Sequence, residues 1–264
     1  MSDLASSDLA RVEFTHDPDR DVRVVADSRG TSVWRYLDLA KFVSLLKDRA
    51  LYLARADSFE DKWEGSFGAL DAAERERAAP KRPKKLDAAT YSYWVLPRLL
   101  PANTFLNCWH VNNGESEAMW SLYTTRTYGV ALQSTITRLS RALRLPVPTT
   151  SHPDLLKPIV IAPVEYVDYR TLTTDFDPER PFLYKRKSFE HERELRIITQ
   201  TIVQGEGRDL SYVLLPVDLR DLIVRVYISP YAQGWFKDVV TAVADRFGLD
   251  CPVEHSDLLA GPIR

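Results

Sequence analysis

The sequence predicts an α+β protein with about eight short strands and five or six helices. Three observations lead to this fold class. Short apolar runs bounded by polar turn residues recur along the chain, which is typical of strands. Other segments place apolar residues three and four positions apart, which is typical of amphipathic helices. The chain has neither an internal repeat nor a low-complexity tract.

The composition predicts a single globular domain. The chain has 264 residues, 45% hydrophobic and 27% charged, which is ordinary for a soluble protein with a substantial core. Because the formal net charge is -2, a nucleic acid or an anionic membrane would need a local patch to bind. Cys108 and Cys251 are far apart and lack metal-ligand spacing, so we expect neither a disulfide framework nor a zinc site.

The apolar runs and the extent of order complete this outline. No run approaches the ~18 residues that span a bilayer, and no stretch resembles a signal peptide, so we expect a cytoplasmic protein without a membrane partner. Residues 1–30 are rich in Ser, Asp and Arg and are predicted to be a flexible leader, in which only a few valines hint at a strand. Residues 31–264 are predicted to form the single α+β domain.

The ordered part begins with a strand, a helix and a second strand. Val33–Tyr36 has strand character, and Asp38 is placed to cap a helix. The apolar positions of that helix have helical spacing: Leu39, Phe42, Val43 and Leu46. Leu51–Ala54 is the second strand.

An acid-rich loop follows, with carboxylates at Asp57, Glu60, Asp61 and Glu64. Its oxygens suit a divalent cation, although the loop lacks the twelve-residue frame of an EF-hand. A turn capped by Asp57 or Ser58 explains the same composition. Residues 71–87 read as a charged surface helix that runs into a basic loop.

The middle of the chain contains the first candidate for chemistry. Phe105–Trp109 is predicted as a strand and Glu115–Tyr123 as a helix, so His110 lies at a strand end, where folds of this kind place reactive groups. A structural histidine is the alternative. The nearby aromatic residues, which are Trp109, Trp120 and Tyr123, either belong to the core or line a pocket that stacks on a base or nicotinamide ring.

The second half continues with alternating elements. Gly129–Gln133 is predicted as a strand, and Ser134 or Thr135 caps the helix after it. A proline-rich loop, Pro146–Pro153, precedes a strand predicted within Pro158–Tyr169 and a helix within Phe182–Phe189. The C-terminal part predicts strands at Tyr212–Val217, Ile223–Ile228 and Cys251–His255 and a helix at Trp235–Phe247.

The stretch from Lys185 to Ile198 has the most unusual composition, with three glutamates, one histidine and five cations. If it is extended, Glu192, Glu194 and Arg196 share one face and the intervening apolar residues point to the core. Two carboxylates so close together favour raised pKa values, and the adjacent cations suit an anion. A solvated edge strand with ion pairs is the alternative.

These motifs carry a family resemblance. The segments WRYLDLAKF, LYLARADSFEDKWEG, NCWHVNNGESEAMWSLY, GVALQST and KRKSFEHERELR resemble a widespread family of bacterial domains of unknown function. Their order is in turn similar to the ADP-ribosyltransferase fold, which implies a mixed, mostly antiparallel split sheet with flanking helices. That fold places a cationic anchor for NAD on its first strand, a Ser or Tyr on a middle strand and a catalytic Glu, often within ExE, further on.

The resemblance implies roles for individual residues. Arg35 would anchor the pyrophosphate of NAD, Glu194 would be the catalytic glutamate, and Glu192 would activate the acceptor. Ser134 or Thr135 would supply the middle-strand hydroxyl, although the Ser-Thr-Ser signature is absent. With His110 added as a third catalytic candidate, we expect NAD to be bound by Arg35, Tyr36, Asn107, Trp109, Trp120, Tyr123, Lys185 and Arg196, with no metal.

Three functional hypotheses follow. The first is an ADP-ribosyltransferase-like toxin or phage-defence effector that uses NAD, modifies a nucleic acid or protein and has an antitoxin or activator as partner. The second is a nuclease, either metal-dependent through Asp57, Asp61, Glu64 and Glu115 or metal-independent through His110, His191 and Lys185. The third is a binding module without catalysis, in which exposed Trp and Arg carry the affinity.

Overall fold

The computed structural model describes residues 15–17, 22–25, 30–78, 96–143, 158–173, 177–201 and 210–262. Its strands are β1 (Thr15–Asp17), β2 (Val22–Val24), β3 (Ser32–Asp38), β4 (Ala50–Arg55), β5 (Thr104–Val111), β6 (Gly129–Thr135), β7 (Ile159–Pro163), β8 (Glu165–Val167), β9 (Tyr184–Arg186), β10 (Glu194–Gln200), β11 (Tyr212–Pro216), β12 (Arg225–Ile228) and β13 (Val253–His255). Its helices are α1 (Leu39–Asp48), α2 (Ala69–Ala78), α3 (Leu96–Leu99), α4 (Glu117–Tyr123), α5 (Ile136–Ala142), α6 (Leu219–Leu222) and α7 (Gly234–Arg246).

The fold is α+β, with flanking helices around one large mixed sheet. Eleven of the described strands belong to this sheet, in the order β1-β2-β7-β10-β5-β3-β6-β12-β13, with β4 and β11 attached beside β5. Most neighbours are antiparallel, and β2–β7 and β12–β13 are parallel. The described strands outnumber the eight predicted because three-residue strands such as β8 and β9 are too short to show a period of two.

The sheet splits along β5. The C-terminal end of β5 pairs with β3, where Trp34 lies opposite His110, whereas its N-terminal half pairs with β4, where Ala54 lies opposite Leu106. Between these pairings the sheet is open, and side chains bind the backbone carbonyls there. Arg35 Nη1 donates to the carbonyl of Cys108 at 3.1 Å, and Asn107 Nδ2 donates to that of Tyr52 at 2.8 Å.

Helices on one face and loops on the other enclose the core. The helices α1, α5 and α7 bury their apolar stripes against one face of the sheet. The opposite face carries two smaller clusters, one around Phe182 and Ile198 and one around Trp34 and Trp120. It is this second face on which the chemically unusual residues gather.

Most predicted elements are confirmed at their centres. Asp38 caps α1 by accepting a hydrogen bond from the Lys41 amide at 2.9 Å, and Thr135 caps α5. The helix predicted over Phe182–Phe189 is wrong, because β9 lies there between 3-10 turns and pairs with β8. The helix predicted to start at residue 71 is α2, whereas its continuation and the loop Pro146–Pro153 lie outside the described residues.

Part of the segment predicted as a leader belongs to the sheet. β2 pairs with β7, with Val22 opposite Ile159, and β1 pairs with β2. Val22 and Val24 are buried in the main core. Two of the valines that hinted at a strand therefore lie in β2 and pack in the core.

Candidate functional site

A cavity of about 910 Å³ lies on the second face, where the sheet splits. His110 and the carboxylates of Glu192 and Glu194 line one side. Through the split the cavity reaches α1, where Lys41, Ser44 and Leu45 line it. The aromatic residues of the wall are Trp34, Tyr36, Tyr52, Phe59, Trp109, Tyr123 and Phe189. A volume in the range of about 300–1,000 Å³ is typical of small-molecule sites.

The polar side of the cavity is a buried network of three carboxylates and two cations. Lys185 Nζ contacts Glu192, and it lies 2.7 Å from Glu194 Oε1 and 3.5 Å from Glu64 Oε1. Arg196, which has no exposed surface, lies 2.7 Å from Glu194 Oε2 and 2.6 Å from Glu64 Oε2. The carboxylates outnumber the cations by one, so the network has a net negative charge when all members are ionised.

The alternation of β10 positions half of this network. Glu194 and Arg196 share one face, and Leu195 and Ile197 point into the main core, as the sequence predicts. The condition for Glu192 to share that face, an extended backbone, is met only from Glu194 onward. Glu192 ends a 3-10 turn, and Arg193 at φ 40° reverses the backbone. The turn, rather than alternation, brings Glu192 to Lys185.

Glu192 and Glu194 have opposite pKa shifts. Burial and a hydrogen bond with Glu194 raise the pKa of Glu192 to about 7, against the pull of Lys185. Burial also opposes ionisation of Glu194, yet Arg196, the hydrogen bond from Glu192 and Lys185 together hold its pKa well below the usual range. The pair thus holds one fixed negative charge and one proton that exchanges near neutral pH.

Two tyrosines complete this corner. The Tyr123 hydroxyl hydrogen-bonds to Glu192, and burial and that carboxylate raise the pKa of Tyr123. The amide of Glu194 donates to the Tyr166 hydroxyl at 2.8 Å, which fixes the start of β10. Burial opposes the charge on Lys185, but Glu194 and Glu64 outweigh it and raise the pKa of Lys185, so this side chain stays a cation.

His110 lies opposite Glu194 in the β-ladder and is buried. Its Nδ1 is 2.6 Å from the carbonyl of Glu192, and a carbonyl oxygen only accepts, so Nδ1 carries the proton. Burial lowers the pKa of His110, and this effect outweighs the carbonyl of Glu192. The neutral tautomer leaves Nε2 as an acceptor, which has no hydrogen-bond partner in the described part of the chain.

The predicted NAD-binding residues fall into two groups. Arg35, Tyr36, Asn107, Trp109, Tyr123 and Lys185 line the cavity, as do the three catalytic candidates. Trp120 and Arg196 are fully buried and do not line the cavity. The ring centroids of Trp120 and Tyr36 are 5.1 Å apart, and Arg196 donates to the carboxylate of Glu194. Both residues support side chains that face the cavity.

Arg35 is reached through the split. Val33 and Leu37 lie in the main core, so alternation places Arg35 on the side opposite Glu194, above the Trp109 ring at 5.9 Å. Burial lowers the pKa of Arg35 to about 10, and the guanidinium therefore remains charged at neutral pH. The middle-strand hydroxyls do not reach the cavity, because Ser134 donates to the carbonyl of Leu222 and Thr135 caps α5.

The acid-rich loop reaches the same cavity but is divided among different partners. Asp61 pairs with Arg186 at 3.1 Å, whereas Asp57 pairs with Arg55 at 2.7 Å. Glu115 accepts a hydrogen bond from Trp120 Nε1 at 3.0 Å.

Among the described residues no three His, Cys, Asp or Glu side chains are arranged to hold a metal ion, so the carboxylates of the metal-nuclease hypothesis do not converge. His191, needed for the metal-independent nuclease, is exposed and does not line the cavity.

Several residues of this site are not predicted from the sequence. Glu64 is predicted only as a metal ligand, and Tyr166, Phe59 and Phe189 are not among the predicted site residues. The Phe189 ring lies 4.8 Å from Lys185 Nζ and 5.2 Å from the Arg186 guanidinium. The run of three cations at 185–187, two residues before the ring, is the one local signal for Phe189, whereas nothing local indicates Tyr166.

Comparisons with known proteins are sparse. No family model matches the chain and no curated protein matches it, so the resemblance to a bacterial domain family stays a prediction. A solved structure of DarT from Thermus sp. 2.9 in complex with ADP-ribosylated single-stranded DNA is similar, with 10% identity, 86% of this chain and 94% of that chain covered, and a TM-score of 0.36. A TM-score this low supports no conclusion about function, so any functional argument must come from the site itself.

Across the described ranges, no helix is long and apolar enough to cross a membrane.

Proposed function

We propose that the protein is an ADP-ribosyltransferase-like enzyme that takes NAD and modifies a nucleic acid or a protein. The observation that carries this proposal is the Glu192–Glu194 pair at the cavity wall, in which Lys185 contacts both carboxylates and Arg196 contacts Glu194 alone. Glycosyl transfer uses one ionised carboxylate to stabilise the positive charge that develops on the ribose and a second carboxyl whose ionised form accepts the proton of the acceptor. A role as a bacterial toxin or phage-defence effector, with an antitoxin or activator as partner, belongs to the same proposal and is supported by the family resemblance alone.

The residues present suit a dinucleotide. The cavity is large, its wall carries aromatic rings for stacking, and Arg35 and Lys41 add positive charge away from the carboxylates. Arg35 is held by the carbonyl of Cys108 through one guanidinium nitrogen, which leaves other donors for an anion. NAD would supply the glycosidic bond between ribose and nicotinamide.

Glu194 stabilises the positive charge that develops on the ribose as the glycosidic bond breaks. Nicotinamide leaves as a neutral molecule with the electron pair of that bond. An acceptor O–H or N–H passes its proton to Glu192, and its electron pair forms the new bond to the ribose carbon. Lys185 and Arg196 hold Glu194 in place and keep it ionised, and His110 offers Nε2 as an acceptor.

Nicotinamide release from NAD tests the proposal. The purified protein is incubated with NAD, with and without cellular RNA, single-stranded DNA and protein, and nicotinamide is measured. We expect release by the natural chain and a loss of about 100-fold or more in Glu194→Gln. The matched control is Glu190→Gln, because Glu190 is exposed on the same turn. If NAD stays intact with every acceptor, or if Glu194→Gln releases nicotinamide as fast as the natural chain, the proposal fails.

A further inference from the structure

A pair of stacked tyrosines lies at the edge of the cavity, and one of the two, Tyr52, lines it. Tyr52 on β4 and Tyr212 on β11 have ring centroids 5.0 Å apart and an interplanar angle of 24°. Their exposed fractions are 50% and 48%, whereas the other residues of both strands are buried or half-buried. Neither ring is used in the network around Lys185. Two half-exposed, preordered aromatic rings form a platform for another planar ring.

The platform is continuous with the carboxylate site. Tyr52 lines the cavity together with Ala50, Ala54 and Leu214, so small and apolar residues surround it. The register places Tyr212 opposite Ala54, Ala54 opposite Leu106 and Leu106 opposite Ile198. On β4, Tyr52 is two residues from Ala54, and on β10, Glu194 is four residues from Ile198. Residues an even number apart on a strand share a face, so both tyrosines and Glu194 lie on the same face of the sheet.

The spacing suits the two ends of a dinucleotide. β4 is the second strand from β10, and because paired strands are about 4.8 Å apart and the sheet is open at Tyr52, this ring lies roughly 10 Å or more from the strand of Glu194. Asn107 maintains this separation across the split by binding the Tyr52 carbonyl. Arg35 and Lys41 face the same cavity from the split and offer positive charge to the phosphates of such a ligand.

We propose that Tyr52 and Tyr212 bind the adenine ring of the dinucleotide by stacking. The inference rests on the proposed function, since it assigns the far end of the same ligand. A purine nucleotide is favoured over a long nucleic-acid strand because Tyr52 lines the cavity and the whole chain has a formal charge of -2. The Tyr hydroxyls play no part in stacking, so only the rings are required.

The test measures binding of ADP-ribose and AMP by calorimetry, which needs no turnover. We expect Tyr52→Ala to weaken ADP-ribose binding by about 10-fold, the change that corresponds to typical base stacking on an aromatic side chain. Tyr52→Phe should retain the affinity, and Tyr212→Ala should weaken it. Tyr128→Ala is the matched control, because Tyr128 is 47% exposed and lies outside the cavity.

Nicotinamide mononucleotide, which lacks the purine, separates this site from the carboxylate end. Its affinity should be equal in Tyr52→Ala and the natural chain. If Tyr52→Ala releases nicotinamide from NAD with unchanged KM and binds ADP-ribose unchanged, the adenine assignment is wrong while the transferase proposal stands. If NAD is never cleaved but ADP-ribose binding still depends on Tyr52, the platform stands and the transferase proposal fails. Loss of binding to single-stranded DNA alone, with ADP-ribose unaffected, would also overturn the adenine assignment.

Discussion

At the scale of single residues, the number of cations near each carboxyl explains why two glutamates in one network titrate differently. Glu194 lies against both Lys185 and Arg196, whereas Glu192 lies against Lys185 alone. Burial raises the pKa of both carboxyls. The second cation, Arg196, therefore decides which of the two stays ionised. The sequence-based expectation of raised pKa values is confirmed for Glu192 and wrong for Glu194.

The first prediction concerns pH. If Glu192 accepts the proton of the acceptor, transfer needs its ionised form, and a pKa of about 7 makes that form increase with pH. The transfer rate at saturating NAD should rise from about pH 6 to about pH 8 and then level off. Glu192→Gln should be slower and lack this rise, while Glu190→Gln should keep it. A natural chain whose rate is flat across this range would contradict the assignment.

The second prediction concerns Arg196. Replacing it by Met leaves Glu64 and Glu194 buried without this cation, which should lower the free energy of unfolding by about 3–5 kcal/mol. Urea denaturation measures the change. Arg170→Met removes an exposed ion pair with Asp168 and should alter stability little. Equal midpoints for the two variants would show that Arg196 is not the anchor of the network.

At the scale of elements, the site depends on two irregular segments rather than on helices. The loop between β4 and α2 supplies Glu64, and the 3-10 turn before β10 supplies Glu192. Each of these two glutamates is followed directly by a residue with positive φ, Gly65 at 74° and Arg193 at 40°. These backbone conformations direct the chain so that the carboxylates point at Lys185.

The third prediction compares two glycines with the same φ of 74°. A Cβ on Gly65 would lie 2.5 Å from Cε1 of buried Phe182, whereas a Cβ on Gly30 would meet nothing within 4 Å. Gly65→Ala should therefore cost about 1–3 kcal/mol more stability than Gly30→Ala, because it adds overpacking to the same backbone strain. Thermal and urea unfolding of both variants measure the difference. Equal losses would mean that Phe182 yields at no cost.

At the scale of the whole molecule, one eleven-stranded sheet runs from β1 to β13 and opens along β5. The split places the site at the centre of the sheet, where strands from distant parts of the sequence meet. β10 carries Glu194, β5 carries His110, and β3 carries Arg35. Stability of the sheet and geometry of the site are therefore linked.

The fourth prediction tests the N-terminal segment. Removing residues 1–29 deletes β1 and β2, exposes the edge of β7 and takes two buried valines from the core. The truncated chain should unfold at lower temperature and associate in size-exclusion chromatography, since burial of one valine contributes about 1.5–3 kcal/mol. A chain that begins at residue 15 keeps both strands and is the control. If the two truncated chains have equal midpoints, the segment is a leader as predicted from the sequence.

Local patterns in the sequence determined the α+β class, the positions of most central strands and the caps of α1 and α5. Alternation along β10 also placed Leu195 and Ile197 in the core and paired Glu194 with Arg196 on the other face. These features follow from backbone periodicity and from side chains that bind their own backbone, both of which act over a few residues. The helix predicted within Phe182–Phe189 failed because pairing with β8 overrode a weak local preference.

Only the tertiary structure decided which of the polar residues meet. It brought Glu64 to Lys185 and Arg196, and it packed Trp120 against Tyr36. It also placed Arg35 at the split in the sheet, which no local sequence pattern predicts. It also set the opposite pKa values of Glu192 and Glu194. The physical reason is that burial, and the approach of residues such as Glu64 and Lys185 from distant parts of the sequence, are governed by strand pairing across the whole sheet.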